Sequence, residues 1–167
     1  GKKRTKFYRE INMKLAEFLT IEGRESLAKE LTKEGLFELE KVNVRGNEYN
    51  TFKSAPKTLG EYFQFALIHG EWDFLAYEDE TYTYQETLNK AAGLSHALID
   101  QFGIKKGDAV AFSMRNYPEW IFSYMAVTSI GAIAVPLNSW WQGEELEYGI
   151  QHSEAKLVIA DDERLSR

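Results

Sequence analysis

Apolar positions along this chain alternate between two habits, short unbroken runs and stripes spaced three or four residues apart. Ala109 to Met114 is nearly continuous and apolar, the pattern of a parallel strand covered on both faces, and Lys105 to Asp108 supplies the turn that feeds it. Asn116 and Pro118 then open a helix, since proline at the first helical position gives up only an N–H that has no partner there. Gly131 stops that helix, and a second run, Ala132 to Val135, follows at once. The spacing leaves room for one right-handed crossover, which predicts a βαβ unit. A helix from Gly143 to Gln151, with Leu146 and Ile150 on one face, leads to a third apolar strand, Lys156 to Ala160. Three strands alternating with helices predict an α/β architecture, a mostly parallel sheet with flanking helices.

Upstream the signals are local. Phe7, Ile11, Leu15, Phe18 and Leu19 fall on one face of a predicted helix, and Leu27, Ala28 and Leu31 on one face of another that stops near Gly35, together a helical hairpin. Residues 35–56 read as a linker, with Val42 and Val44 alternating as in a short strand and Arg45-Gly46-Asn47 as a turn. Thr58 and Glu61 have the spacing of a capping box before the stripe Leu59, Tyr62, Phe63, Ala66 and Leu67, a helix ending near Gly70. Leu75 to Tyr77 and Thr81 to Thr83 flank Glu78-Asp79-Glu80 as a hairpin. Thr83 and Glu86 form a second capping box, opening a long helix with Leu88, Ala91, Ala92, Leu98 and Phe102 inward and Gly103 at its end. The expected organisation is a helical extension over residues 1–50 and a main body over residues 51–167.

Composition narrows the function classes. With 44% hydrophobic and 28% charged residues the 167-residue chain is ordinary for a globular protein, and no apolar run approaches the ~20 residues of a membrane span. There is no cysteine, which excludes disulfides, thiolate metal sites and cysteine nucleophiles; no secretory signal pattern is present, and the expected location is the cytoplasm. The net charge of −6 is uneven, +2 over residues 1–50 and −8 over residues 51–167. So acidic a body excludes nucleic acid as the partner, because duplex binding depends on phosphate neutralisation. Only Lys2, Lys3, Arg4, Lys6 and Arg9 form a basic cluster, read as a solvated terminus.

The residues at particular positions go further. Thr83-Tyr-Gln-Glu86, Gln101-Phe-Gly-Ile104, Lys106-Gly-Asp-Ala-Val-Ala111, Asn116-Tyr-Pro-Glu119, Gly131-Ala-Ile-Ala-Val-Pro-Leu-Asn138 and Glu145-Leu-Glu-Tyr148 occur in one order at consistent spacings. This order resembles the amino-terminal part of the adenylate-forming (AMP-binding) superfamily, and Pro136 to Leu146 with Asp162-Glu-Arg-Leu165 is most similar to bacterial fatty-acid or related carboxylate CoA ligases (acyl-CoA synthetases). The resemblance covers about Thr58 to Arg164 and implies nothing for residues 1–50; Trp72-Asp73 stands where the family usually has proline before the aspartate.

The chemistry implied by the resemblance is that of the family, which activates a carboxylate with Mg-ATP to an acyl-adenylate and whose ligases pass the acyl group to the thiol of coenzyme A. The family's Ser/Thr/Gly-rich phosphate loop ending in Pro-Lys-Gly, its ribose aspartate, its Mg ligand and its catalytic lysine are all absent from this sequence. In the family the phosphate loop lies just beyond the third strand. The resemblance therefore implies an amino-terminal portion of such a ligase, truncated before that loop, with no catalytic residue and no cofactor of its own, while ATP, Mg and coenzyme A serve the parent protein. The other reading is a stand-alone, non-catalytic binding or assembly module that keeps the amino-terminal fold. A sheet interrupted in this way has an unpaired edge, so self-association is expected.

Candidate site residues come from strand ends. Trp140, Trp141 and Asn138 stand just after the second strand, where α/β sheets build ligand crevices, and are candidates to line an acyl or pantetheine path. The competing reading has the tryptophans cover the sheet's end and Asn138 make a local turn hydrogen bond. His152, Ser153 and Glu154 are adjacent at a helix end, which fits a cap and turn rather than a triad; His69 sits at another helix end. Glu78, Asp79 and Glu80 read as a solvated hairpin tip rather than a metal site.

Overall fold

The computed structural model of the protein describes residues 20–167, so the helix expected over Phe7 to Leu19, and with it the helical hairpin, lies outside the described residues. The described residues divide into two compact units, one ending at Ala55 and the other spanning Pro56–Arg167.

In the first unit, α1 (Ile21–Leu31) is capped by the Thr20 hydroxyl, which accepts from the Gly23 N–H, and buries none of its residues. The stretch expected as a linker is an antiparallel hairpin of β1 (Leu39–Val44) and β2 (Asn47–Phe52). Its two-residue turn explains the difference: Arg45 and Gly46 both take positive φ, 51° and 87°, the backbone whose twist matches paired strands. Asn43 Oδ1 accepts from the Gly46 N–H to hold that turn.

The second unit begins with α2 (Leu59–Phe65), continued by a 3-10 turn, Ala66–His69. Thr58 Oγ1 accepts from the Glu61 N–H as expected, but the Glu61 carboxylate reaches one residue further back, to the Lys57 N–H at 2.7 Å. Of the predicted stripe only Phe63 and Ala66 are half-buried; Leu59, Tyr62 and Leu67 remain exposed. The hairpin β3 (Asp73–Tyr77) and β4 (Glu80–Thr83) turns on two residues, Glu78 and Asp79, so Glu80 belongs to a strand. The full capping box of Thr83 and Glu86 starts α3 (Tyr84–Asp100), which buries Thr87, Ala91 and Leu98. Phe102 and Ala92, expected inward, are exposed. Phe102 falls beyond the last helical turn, and Ala92 stands about 100° round the helix from Ala91.

The parallel sheet has the order β6 (Ile133–Pro136), β5 (Ala109–Ser113), β7 (Leu157–Ala160), with Val110 opposite Ala134 on one side and Leu157 on the other. All of β5 is buried, as its nearly continuous apolar run requires. The crossovers are α4 (Pro118–Ser129) and α5 (Gly143–His152). Because β6 and β7 lie on opposite sides of β5, right-handed connections place α4 and α5 on opposite faces of the sheet. The core forms where Val110 meets Leu98, Ala126 and Val127, all fully buried, each large aliphatic contributing about 1.5–3 kcal/mol. Gly131 ends α4 with φ +75°, and Lys106 Cγ lies 3.0 Å from where a Cβ would stand. At the start of the sheet, Asp108 accepts from the Lys105 N–H and pairs with Lys156 Nζ at 2.6 Å; these hydrogen bonds hold its carboxyl below the usual carboxylate range.

Candidate functional site

Parallel pairing puts the carboxyl ends of β5, β6 and β7 at one edge, so the residues just past Ser113, Pro136 and Ala160 meet although they are far apart in sequence. The connections leave β5 and arrive at β7 on opposite faces, the arrangement that opens a crevice outside the strand ends.

Two carboxylates and two guanidiniums tie this edge together. Asp161 caps the short helix α6 (Asp162–Leu165), its Oδ1 accepting from the Arg164 N–H at 2.9 Å, while its Oδ2 accepts from the Arg115 N–H at 3.2 Å. Arg164, with its side chain 1% exposed, donates through Nε to the Ser139 carbonyl at 2.8 Å and through Nη1 to Asp161 at 3.2 Å and Glu163 at 2.8 Å. Arg167 donates through Nη1 to the carbonyls of Ser139 and Trp141, and through Nη2 to Glu163. Burial alone would raise the Asp161 pKa, but the two backbone N–H groups and the Arg164 guanidinium outweigh it and hold the carboxyl below its ordinary value. Glu163 is held low chiefly by its hydrogen bond from Arg167, with Arg164 adding to it. The Arg164 pKa is raised: burial opposes its charge, and the carboxylates of Asp161 and Glu163 more than compensate.

The three residues that the sequence pattern marks all reach this edge, in different roles. Asn138 Oδ1 accepts from the Trp140 N–H at 3.0 Å, a local turn bond. Trp141 is half-buried against α5, where a Cβ on Gly149 would come within 2.9 Å of its Cζ3. Trp140 is 68% exposed, and the Arg115 guanidinium sits 5.1 Å from its ring centroid in a cation–π contact. Arg115, Asp161 and Arg164 escape a reading of the sequence pattern. Their signal is a charged residue one to four positions past an apolar run, and it gains meaning only once the runs are known to be parallel.

The remaining candidates stay apart. His152 stacks on Tyr148, centroids 5.3 Å apart, and Ser153 Oγ donates to the Ile150 carbonyl. His69 lies between the rings of Trp72 and Tyr84 at 5.1 and 5.3 Å. At the acidic tip, Glu80 accepts from the Tyr82 hydroxyl at 2.6 Å, which pushes that phenol up to about 12. Among the described residues no cluster of three acidic or histidine side chains could hold a metal, and no helix there is long and apolar enough to cross a membrane.

Comparison with known proteins gives the site its setting. Crotonobetaine/carnitine–CoA ligase of Proteus mirabilis is 42% identical over 77 residues, 46% of this chain and 14% of that ligase. The Klebsiella oxytoca NpsA N-terminal subdomain superposes with a TM-score of 0.59 at 25% identity, covering 64% of this chain and 28% of that one. The anthranilate CoA ligase AuaEII, in a complex with anthranoyl-AMP, superposes with a TM-score of 0.64 at 24% identity over 67% of this chain and 22% of its own, a likeness of fold. The chain thus spans about a seventh of the curated relative's length. Its mixed α/β fold, a parallel sheet with flanking helices, is that of the N-terminal subdomain of adenylate-forming enzymes. The sequence profile of the AMP-binding enzyme family matches residues 63–167, from α2 through the strand-end edge to the last residue, and the chain belongs to that family.

Proposed function

We propose that this chain is part of an AMP-forming acid–thiol ligase, which activates a carboxylate with ATP to an acyl-adenylate and then forms a thioester with coenzyme A. The family match over residues 63–167, together with a CoA ligase relative at 42% identity, carries the reading. The substrate we propose is a fatty acid or related carboxylate, and the setting the cytoplasm. Residues 51–167 are assigned to the AMP-binding domain and residues 1–50 to an extension of it.

The nucleotide and Mg do not fit the residues present. The sequence holds no Gly-rich loop ending in Pro-Lys-Gly, and the described residues hold no acidic cluster for a metal. No catalytic step is therefore assigned to them, and the 167-residue chain by itself is proposed to be inert. Its own contribution is to build and hold the strand-end edge. There Asp161, Arg164 and Arg167 fix the loop Asn138 to Trp141, and Trp140 with Arg115 presents a flat cationic face toward an acyl or pantetheine group. Strands β6 and β7 each pair on one side only among the described residues, which supports self-association of the isolated chain through an edge.

Carboxylate-dependent exchange of pyrophosphate into ATP tests the reading. The product of the complete gene should exchange with a carboxylate from a chain-length series, and the 167-residue chain should not. Exchange by the short chain overturns its inertness. A full-length product silent with every carboxylate overturns the ligase assignment.

A further inference from the structure

We draw no further inference here: the strongest candidate, the aromatic-walled cleft of about 560 Å³ between α2, β3, α3 and α4 with the buried Thr87 hydroxyl in its wall, opens on an apolar face where Tyr62, Phe65 and Ile68 are exposed, and nothing in the structure shows what covers it.

Discussion

Replacing Arg164 with methionine tests whether the strand-end edge is held by the buried guanidinium. The change keeps much of the side chain's length and apolar stem while deleting its charge. Three bonds go: Nε to the Ser139 carbonyl at 2.8 Å, and Nη1 to Asp161 and to Glu163. Glu163 is 55% exposed, so its pair is worth about 0–1 kcal/mol. Asp161, with its side chain 15% exposed, loses its countercharge but keeps its two backbone N–H donors; Ser139 keeps Arg167. Breaking a fully buried ion pair costs about 3–5 kcal/mol, and those surviving donors reduce the figure. Removing the unpartnered Nη2 returns roughly 1 kcal/mol. The net expectation is about 2 kcal/mol of destabilisation, which for a chain of this size is a fall of about 4–8 °C in Tm. Urea unfolding followed by tryptophan fluorescence and far-ultraviolet circular dichroism measures it, and an unchanged m-value would show that the denatured state is not the cause. In a double-mutant cycle with Asp161→Asn, the pair should couple by about 1 kcal/mol or more. A loss under about 0.5 kcal/mol, or strict additivity in the cycle, would refute the guanidinium's role in holding the three loops.

Individual positions give further expected outcomes. Gly149→Ala should destabilise by about 1 kcal/mol despite better helix propensity, because its Cβ would stand 2.9 Å from Trp141 Cζ3 and 3.1 Å from Leu137 Cδ2. Gly93→Ala, in the interior of α3 with nothing within 4 Å, should raise stability by about 0.5–1 kcal/mol; thermal melts of the two variants should move in opposite directions. The Tyr82 phenol, pushed up to about 12 by its hydrogen bond to Glu80, favours the fold while neutral; that contribution is whole below the ordinary value of about 10 and is lost as pH rises through 12. Tyrosinate absorbance should show a late-titrating component, to which Tyr77 also contributes because burial raises its phenol, and Tyr82→Phe should remove its latest-titrating residue; an unchanged titration curve would disprove the assignment. Sedimentation of the isolated chain should show reversible self-association on raising its concentration, and a monomer at all concentrations would remove the open-edge argument.

Local chemistry was legible in the sequence where its causes are local. The Thr83–Glu86 capping box, Pro118 at the start of α4 and Gly131 at its end act over three or four residues, so side-chain type and spacing determine them. The nearly continuous apolar run Ala109 to Met114 could be stable only with both faces covered, and every residue of β5 is buried. The order of short motifs carried the family, since relatives share positions even where no single residue performs chemistry. Of the β1–β2 hairpin only the Val42–Val44 alternation and the turn at Arg45-Gly46-Asn47 were legible, because its strands are polar and mostly exposed; the second strand and the pairing came from the structure. Which of the two adjacent tryptophans would be free was also undetermined by type: Trp141 meets Gly149, and Trp140 meets Arg115. The strand order β6-β5-β7 decided most. It brings Arg115 to Asp161, 46 residues away, and Arg164 to Ser139, 25 residues away. A charged residue after an apolar run has no identifiable partner until pairing across the sheet places the strand ends side by side.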